Sequence, residues 1–182
     1  LLEGVRLLNH CPAHIEAQVV SSGEYISADI MTTLLDTQGY SVFELDPTAC
    51  IRCSNNYVSA QADIEATREL MQGQIAANKA DIYIMPGFIA ANQRNELCTL
   101  GRNGSDYSAA IVASTIGADV CEIWTDVDGV YSADPRMVKD AILIEQLSYE
   151  EAMELSYFGA KVLHPKTISP LASNLIPCVI KN

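Results

Sequence analysis

Strands and helices alternate along all 182 residues, and this predicts an α/β protein with a mainly parallel sheet covered by helices on both faces. Three observations carry the prediction. Short apolar runs at 40–45, 82–85, 120–125 and 176–180 have strand length, and the first three are bounded by Gly, Pro or Asp. Between them lie longer segments of helical period, at 13–38, 64–77, 107–116, 148–157 and 166–173. The chain is 49% hydrophobic, with no internal repeat and no low-complexity stretch, which fits one domain spanning 1–182 around one core.

The elements are justified in order. Ile15, Val19, Ile26, Ile30, Leu34 and Leu35 recur at helical spacing, and Ser21-Ser22-Gly23 predicts a break that divides 13–38 into two helices. Glu24 would then sit in the first turn of the second helix. It either complements the helix dipole, as the local sequence favours, or faces a ligand amine across the break. Gly39 ends this helix, and Asp46-Pro47 stops the strand at 40–45. A short strand is expected near 49–52 in an otherwise irregular stretch. Asp63 caps the helix at 64–77. Residues 88–91 continue the strand ending at Pro86-Gly87 or form a loop at its end, and 96–100 form a second extended piece. Ser105 or Asp106 is the expected N-cap of the helix that runs to Gly117. The strand at 120–125 is nearly continuous in apolar residues, as a strand covered on both faces should be. A polar loop at 126–136 follows, with a short extended piece at 142–144. Ser148 and Glu151 form a capping-box pattern, Gly159 closes that helix, and a final helix and strand complete the chain.

With 11 Lys and Arg against 23 Asp and Glu, the net charge is −12, so the surface repels phosphate backbones and argues against nucleic acid. No apolar run approaches the ~20 residues that a bilayer-crossing helix needs. There is no signal peptide, and the chain does not begin with Met; a piece of a longer protein is expected. Six scattered cysteines include one close pair, Cys50-Ile-Arg-Cys53. Without a second pair or clustered His this reads as buried reduced thiols before zinc, and it implies a cytoplasmic protein.

Chemistry is concentrated late in the sequence. Of the Lys and Arg residues, Arg94, Arg102, Arg136, Lys139, Lys161, Lys166 and Lys181 all lie after residue 91. Gly101-Arg-Asn-Gly-Ser-Asp106 is a glycine turn opening onto a helix. It is either an anion site built from free N–H groups or an ordinary strand–turn–helix joint. In α/β sheets ligands bind beyond the strand C-termini. Stretches 101–106, 125–136 and 159–164 are expected to converge there, bringing Arg102, Arg136 and Lys161 together with Asp106, Asp126, Asp128 and Asp134. Phosphoryl transfer needs this mixture of cations, N–H groups and carboxylates. G-x-x-x-x-G-K-[ST], G-x-G-x-x-G and G-x-S-x-G are all absent. His10, His14 and His164 lack ligand spacing and read as structural. Tyr131 either stacks on a base or is a half-buried loop tyrosine.

Gly101-Arg-Asn-Gly-Ser-Asp106, Trp124-Thr-Asp-Val-Asp-Gly-Val-Tyr-Ser-Ala-Asp-Pro-Arg136 and Ser156-Tyr-Phe-Gly-Ala-Lys-Val-Leu-His-Pro165, in this order and spacing, resemble the aspartate kinase family, and Glu150-Glu-Ala-Met-Glu-Leu-Ser-Tyr-Phe is most similar to its bifunctional aspartokinase/homoserine dehydrogenase members. The resemblance covers nearly the whole chain. It implies the amino-acid kinase fold, a three-layer αβα sandwich, and transfer of the γ-phosphoryl of MgATP to the side-chain carboxylate of L-aspartate. It implies that Arg102 clamps the α-carboxylate, that Glu24 receives the α-amino group, and that Phe88 and Ser105 line the same pocket. Asp106 would orient the catalytic lysine. Thr125, Asp126, Tyr131, Arg136, Lys161 and Val162 would hold the nucleotide, with Gly101 and Gly104 offering backbone N–H groups. The Mg²⁺ is carried by ATP, no protein-bound metal is implied, and a homo-oligomer is implied for the full-length protein.

Two departures qualify these implications. The family's opening Lys-Phe-Gly-Gly-Thr-Ser, which supplies the lysine that meets the γ-phosphate, is not in this sequence, nor are ACT regulatory or homoserine dehydrogenase domains. Losing electrostatic help of that kind costs at least ~10²-fold in rate, so the chain alone is expected to be inactive. Asn103 stands where many members have Gly, a small change if its φ is positive.

Overall fold

The computed structural model describes residues 2–133, 136–157 and 164–182. Contacts divide the chain after Ser108 into two compact units. The first contains α1 (Leu2–Leu8), α2 (Ala13–Thr37), β1 (Val42–Glu44), α3 (Pro47–Cys50), α4 (Ile64–Ala77), β2 (Ile82–Ile84), β3 (Ile89–Ala91), β4 (Leu97–Thr99) and the start of α5 (Gly104–Ile116). The second contains the rest of α5, then β5 (Cys121–Trp124), α6 (Tyr149–Tyr157), α7 (Pro165–Ser173) and β6 (Cys178–Lys181). The α/β alternation is borne out.

In the first unit β1 and β2 pair in parallel, Phe43 opposite Tyr83, and β3 and β4 pair antiparallel, Ala90 opposite Cys98. Residues 88–91 therefore turn into a separate strand instead of extending β2. The core is formed by Leu45, Ile51, Met71, Ile89, Leu100 and Tyr107 with their neighbours.

Two local expectations fail here. α2 is one continuous helix through Ser21-Ser22-Gly23. The Ser21 hydroxyl donates to the Ala17 carbonyl at 2.6 Å and Ser22 donates to Gln18 at 3.2 Å, so both hydroxyls are satisfied inside the helix. A mid-helix glycine costs roughly 1 kcal/mol. That is small beside the packing of α2 on β1 and β4 through Ala17, Ser21 and Ala28. Residues 47–50 form a helix where a strand was expected. Pro47 is pre-set for the first helical position, and Asp46 caps it by accepting the Thr48 N–H at 2.9 Å. Pairing resumes only at Arg52, opposite Ala91.

In the second unit β5 and β6 pair in parallel, Ile123 opposite Ile180, over a core of Ala110, Ala113, Cys121, Ile123, Leu171 and Ile176. Only alternate residues of β5 are buried, and Trp124 is 67% exposed, so this strand is not covered on both faces as its apolar sequence suggested. The capping box is present in both directions: Ser148 N–H donates to the Glu151 carboxylate at 2.8 Å, and Glu151 N–H donates to Ser148 Oγ at 3.2 Å. His164 is structural, its Nδ1 accepting the Lys166 N–H at the start of α7 at 3.2 Å.

Candidate functional site

β2 delivers Met85-Pro-Gly-Phe88 at its C-terminal end, and β4 delivers the glycine turn. The turn uses two left-handed residues, Gly101 (φ 77°) and Asn103 (φ 55°). An asparagine adopts this conformation more readily than most side chains, which accounts for Asn103 at a position open to glycine. α5 starts at Gly104, so neither Ser105 nor Asp106 is the N-cap that the sequence suggested. Both lie in the first turn, where a carboxylate complements the dipole and the N–H groups have no intrahelical acceptor.

The 85–88 segment and the glycine turn touch backbone to backbone. A Cβ added at Gly104 would stand 2.5 Å from Phe88 Cδ2 and 3.2 Å from Phe88 Cα, and one added at Gly87 would stand 3.0 Å from Ser105 Cα. Gly101 is as confined, with Ser59 Oγ 3.0 Å from where its Cβ would be. Phe88 has φ 69°, an uncommon conformation for an aromatic residue. Its N–H donates to Ser108 Oγ at 2.9 Å, and its carbonyl accepts the Leu100 N–H at 2.8 Å. The structure thus brings Phe88, Gly104 and Ser105 together. Asp106 is half-buried, 3.5 Å from Asn103 Nδ2. Arg102 is exposed, and its guanidinium has no partner among the described residues.

Glu24 occupies the middle of α2, so it meets no free amides and does not serve the dipole. It lies one turn from buried Ser21 and one turn from buried Ala28, on the stripe that packs against β1 and β4. There it is half-buried and has no partner among the described residues.

In the second unit, Thr125 N–H extends the β5–β6 pairing to the Lys181 carbonyl at 2.8 Å, and Thr125 Oγ1 donates to Asp126 at 3.3 Å. Asp128 accepts from Tyr131 OH at 3.3 Å and from Asn182 Nδ2 at 2.9 Å. Burial and the adjacent Asp128 carboxylate push the Tyr131 hydroxyl above its usual range. Residues 130–132 pair with 142–144 through Ile144 N–H to Val130 and Ser132 N–H to Ile142, both 2.9 Å, around the bridge of Tyr131 to Leu143. Arg136 is exposed. Lys161 and Val162, as well as Asp134 and Gly159, lie outside the described residues. A cleft of about 730 Å³ opens beside this loop, lined by Gly129, Val130, Ile144, Tyr149 and Ile180 among others. It had no sequence signal, because its walls come from three separate stretches, 128–130, 143–152 and 177–180.

Cys50, Cys53 and Cys98 are buried, and burial pushes the first two thiols up to about 11 and about 12. Among the described residues no group of three or more His, Cys, Asp or Glu is placed to hold a metal ion, and no helix is long and apolar enough to cross a membrane.

Sequence reasoning missed Ser108. It is 2% exposed, accepts from Phe88, and donates to the Gly104 carbonyl at 2.9 Å. In the sequence it is only a small residue in an apolar helix.

Comparison with known proteins bears on this geometry. The model of the amino acid kinase family matches residues 6–182. The whole chain is 48% identical to the bifunctional aspartokinase/homoserine dehydrogenase of Buchnera aphidicola and 49% identical to that of Haemophilus influenzae, of which it spans 22% each. The crystal structure of E. coli aspartokinase III in complex with aspartate and ADP is similar over 99% of this chain and 42% of its own, at a TM-score of 0.88 and 33% identity. The chain thus spans about a fifth of the length of the bifunctional relatives. With its α/β order, its parallel strand pairs and this structural match, the chain belongs to the amino acid kinase family.

Proposed function

We propose that this chain is the central and C-terminal part of an aspartate kinase catalytic domain. In the complete protein that domain transfers the γ-phosphoryl group of MgATP to the side-chain carboxylate of L-aspartate, giving 4-phospho-L-aspartate. The observation that carries the reading is the pair of unspent charges in the first unit, the exposed Arg102 guanidinium and the half-buried Glu24 carboxylate, neither with a partner among the described residues. A free amino acid offers one group of each sign. Arg102 binds the α-carboxylate through charge-assisted hydrogen bonds, and Glu24 takes the α-ammonium. Phe88 and Ser105 wall the pocket, and Asp106 orients the lysine that meets the γ-phosphate. Gly101 and Gly104 give the phosphates their N–H groups. Thr125, Asp126, Tyr131, Arg136, Lys161 and Val162 hold the nucleotide, which brings its own Mg²⁺. The similarity to a structure complexed with aspartate and ADP supports the reading.

On the same reading the 182 residues alone are inactive, the complete protein is a cytoplasmic homo-oligomer, and its ligands are small molecules instead of nucleic acid or membrane. A hydroxamate assay for acyl phosphate on the full-length protein tests the assignment. Aspartate should give the coloured product with ATP and glutamate should not. Product from glutamate alone, or from neither, overturns it.

A further inference from the structure

We propose that Ser108 is a positioning residue for the acceptor pocket, holding Phe88 in its left-handed conformation against the opening of α5. The inference rests on the reading just given, in which Phe88 walls the aspartate site.

Phe88 bears a large side chain at φ 69°, where any residue with a Cβ is strained and must be held from outside. Its carbonyl is fixed by Leu100 N–H, which belongs to the strand pairing of β3 with β4. Its N–H has one acceptor, Ser108 Oγ at 2.9 Å. The hydroxyl is buried, and its own proton is directed to the Gly104 carbonyl at 2.9 Å. One side chain therefore joins the strained residue to the residue whose missing Cβ makes room for it, since a methyl at Gly104 would be 2.5 Å from Phe88 Cδ2. Gly104 lies two residues after Arg102 and directly before Ser105. The bridge thus sets the position of the Phe88 ring relative to the groups that receive the amino acid. Without the hydroxyl, the Phe88 N–H is left without its acceptor. A turn of the backbone to negative φ then relieves both the strain and the missing bond, and it carries the ring away from Gly104.

The test uses the full-length protein. Ser108→Ala should raise the aspartate KM roughly tenfold, equivalent to about 1.4 kcal/mol, with the ATP KM and kcat within about threefold of wild type. Ser108→Cys leaves an acceptor at the position, though a larger and weaker one, so it should give a smaller rise of roughly threefold. In a Phe88→Gly background, where φ near 70° needs no support, Ser108→Ala should add nothing further to the aspartate KM. Wild-type turnover of aspartate combined with an unchanged aspartate KM in both Ser108 variants overturns the inference alone. So does an effect of Ser108→Ala that is undiminished in the glycine background, or an equal rise in both KM values. If the wild type does not phosphorylate aspartate, the functional reading fails and this inference fails with it.

Discussion

β4 is flanked by two polar turns that treat their charges in opposite ways. In the turn before it, residues 92–96, the buried amide and both charged side chains are matched. Asn92 is fully buried, its Oδ1 accepts the N–H groups of Arg94 and Glu96 at 2.9 and 3.0 Å, and its Nδ2 donates to Glu96 at 2.8 Å. The Glu96 carboxylate also accepts from Tyr57 OH at 2.7 Å and from Arg94 Nε at 3.1 Å, and Arg52 reaches across to the Asn92 carbonyl and the Asn95 amide oxygen. In the turn after it, residues 101–106, the backbone is tightly fixed, Asp106 meets only Asn103 Nδ2 at 3.5 Å, and the Arg102 guanidinium is left over. Ser108, Phe88 and Gly104 lock the frame, while Arg102 in this turn, like Glu24 on α2, has no partner among the described residues. A fully matched network gives rigidity and has nothing left for a ligand. Unmatched charges on a rigid frame contribute little to stability and are available for binding.

The largest test of this contrast is at the open turn. In the full-length protein Arg102→Ala should raise the aspartate KM by about 10- to 100-fold, the worth of one or two charge-assisted hydrogen bonds. It should leave thermal unfolding within about 0.5 kcal/mol of wild type, as expected for an exposed side chain without partners. A fall in stability matching the loss of binding would mean that the guanidinium has a structural duty after all. Asn92→Ala should do the reverse. It removes three hydrogen bonds in a buried site and should cost about 2–3 kcal/mol in urea unfolding, with the aspartate KM within about twofold of wild type.

The smallest effect is one of pH. The hydrogen bond from Asn92, followed by that from Tyr57, holds the Glu96 carboxyl below its usual range. A group whose folded value is depressed stabilises the fold fully above its unfolded value, near 4.5, and loses that contribution as pH falls through the folded value. Wild type should therefore exceed Glu96→Gln in stability at pH 7, and the gap should narrow in urea titrations repeated below pH 4.5. A gap that widens on acidification would reverse the sign assigned to this carboxylate.

How much of this was legible in the sequence depends on the range of the forces involved. The α/β order and the caps at Asp63 and Ser148 rest on local patterns, and the structure repeats them. Ser21-Ser22-Gly23 misled because its hydroxyls have a second use inside a helix, and because α2 is held by β1 and β4, strands that follow it distantly in sequence. Asp106 read as a cap because nothing nearby in sequence reveals that Asn103 takes positive φ and starts α5 early. The glycine turn at 101–106 was legible as a motif, from its glycines and its place before an apolar helix. Its support was not: Phe88 and Ser108 lie 20 residues apart, and neither has a composition or spacing that advertises the other.

The distribution of thiols makes the chain a carrier of its own chemical clocks. Cys11 is exposed and should react with an alkylating reagent at once, whereas Cys50, Cys53 and Cys98 in the first unit and Cys121 in the second are shielded and react only on opening. The order in which masses are added during slow labelling would then report how readily each half of the polypeptide comes apart, with no introduced probe.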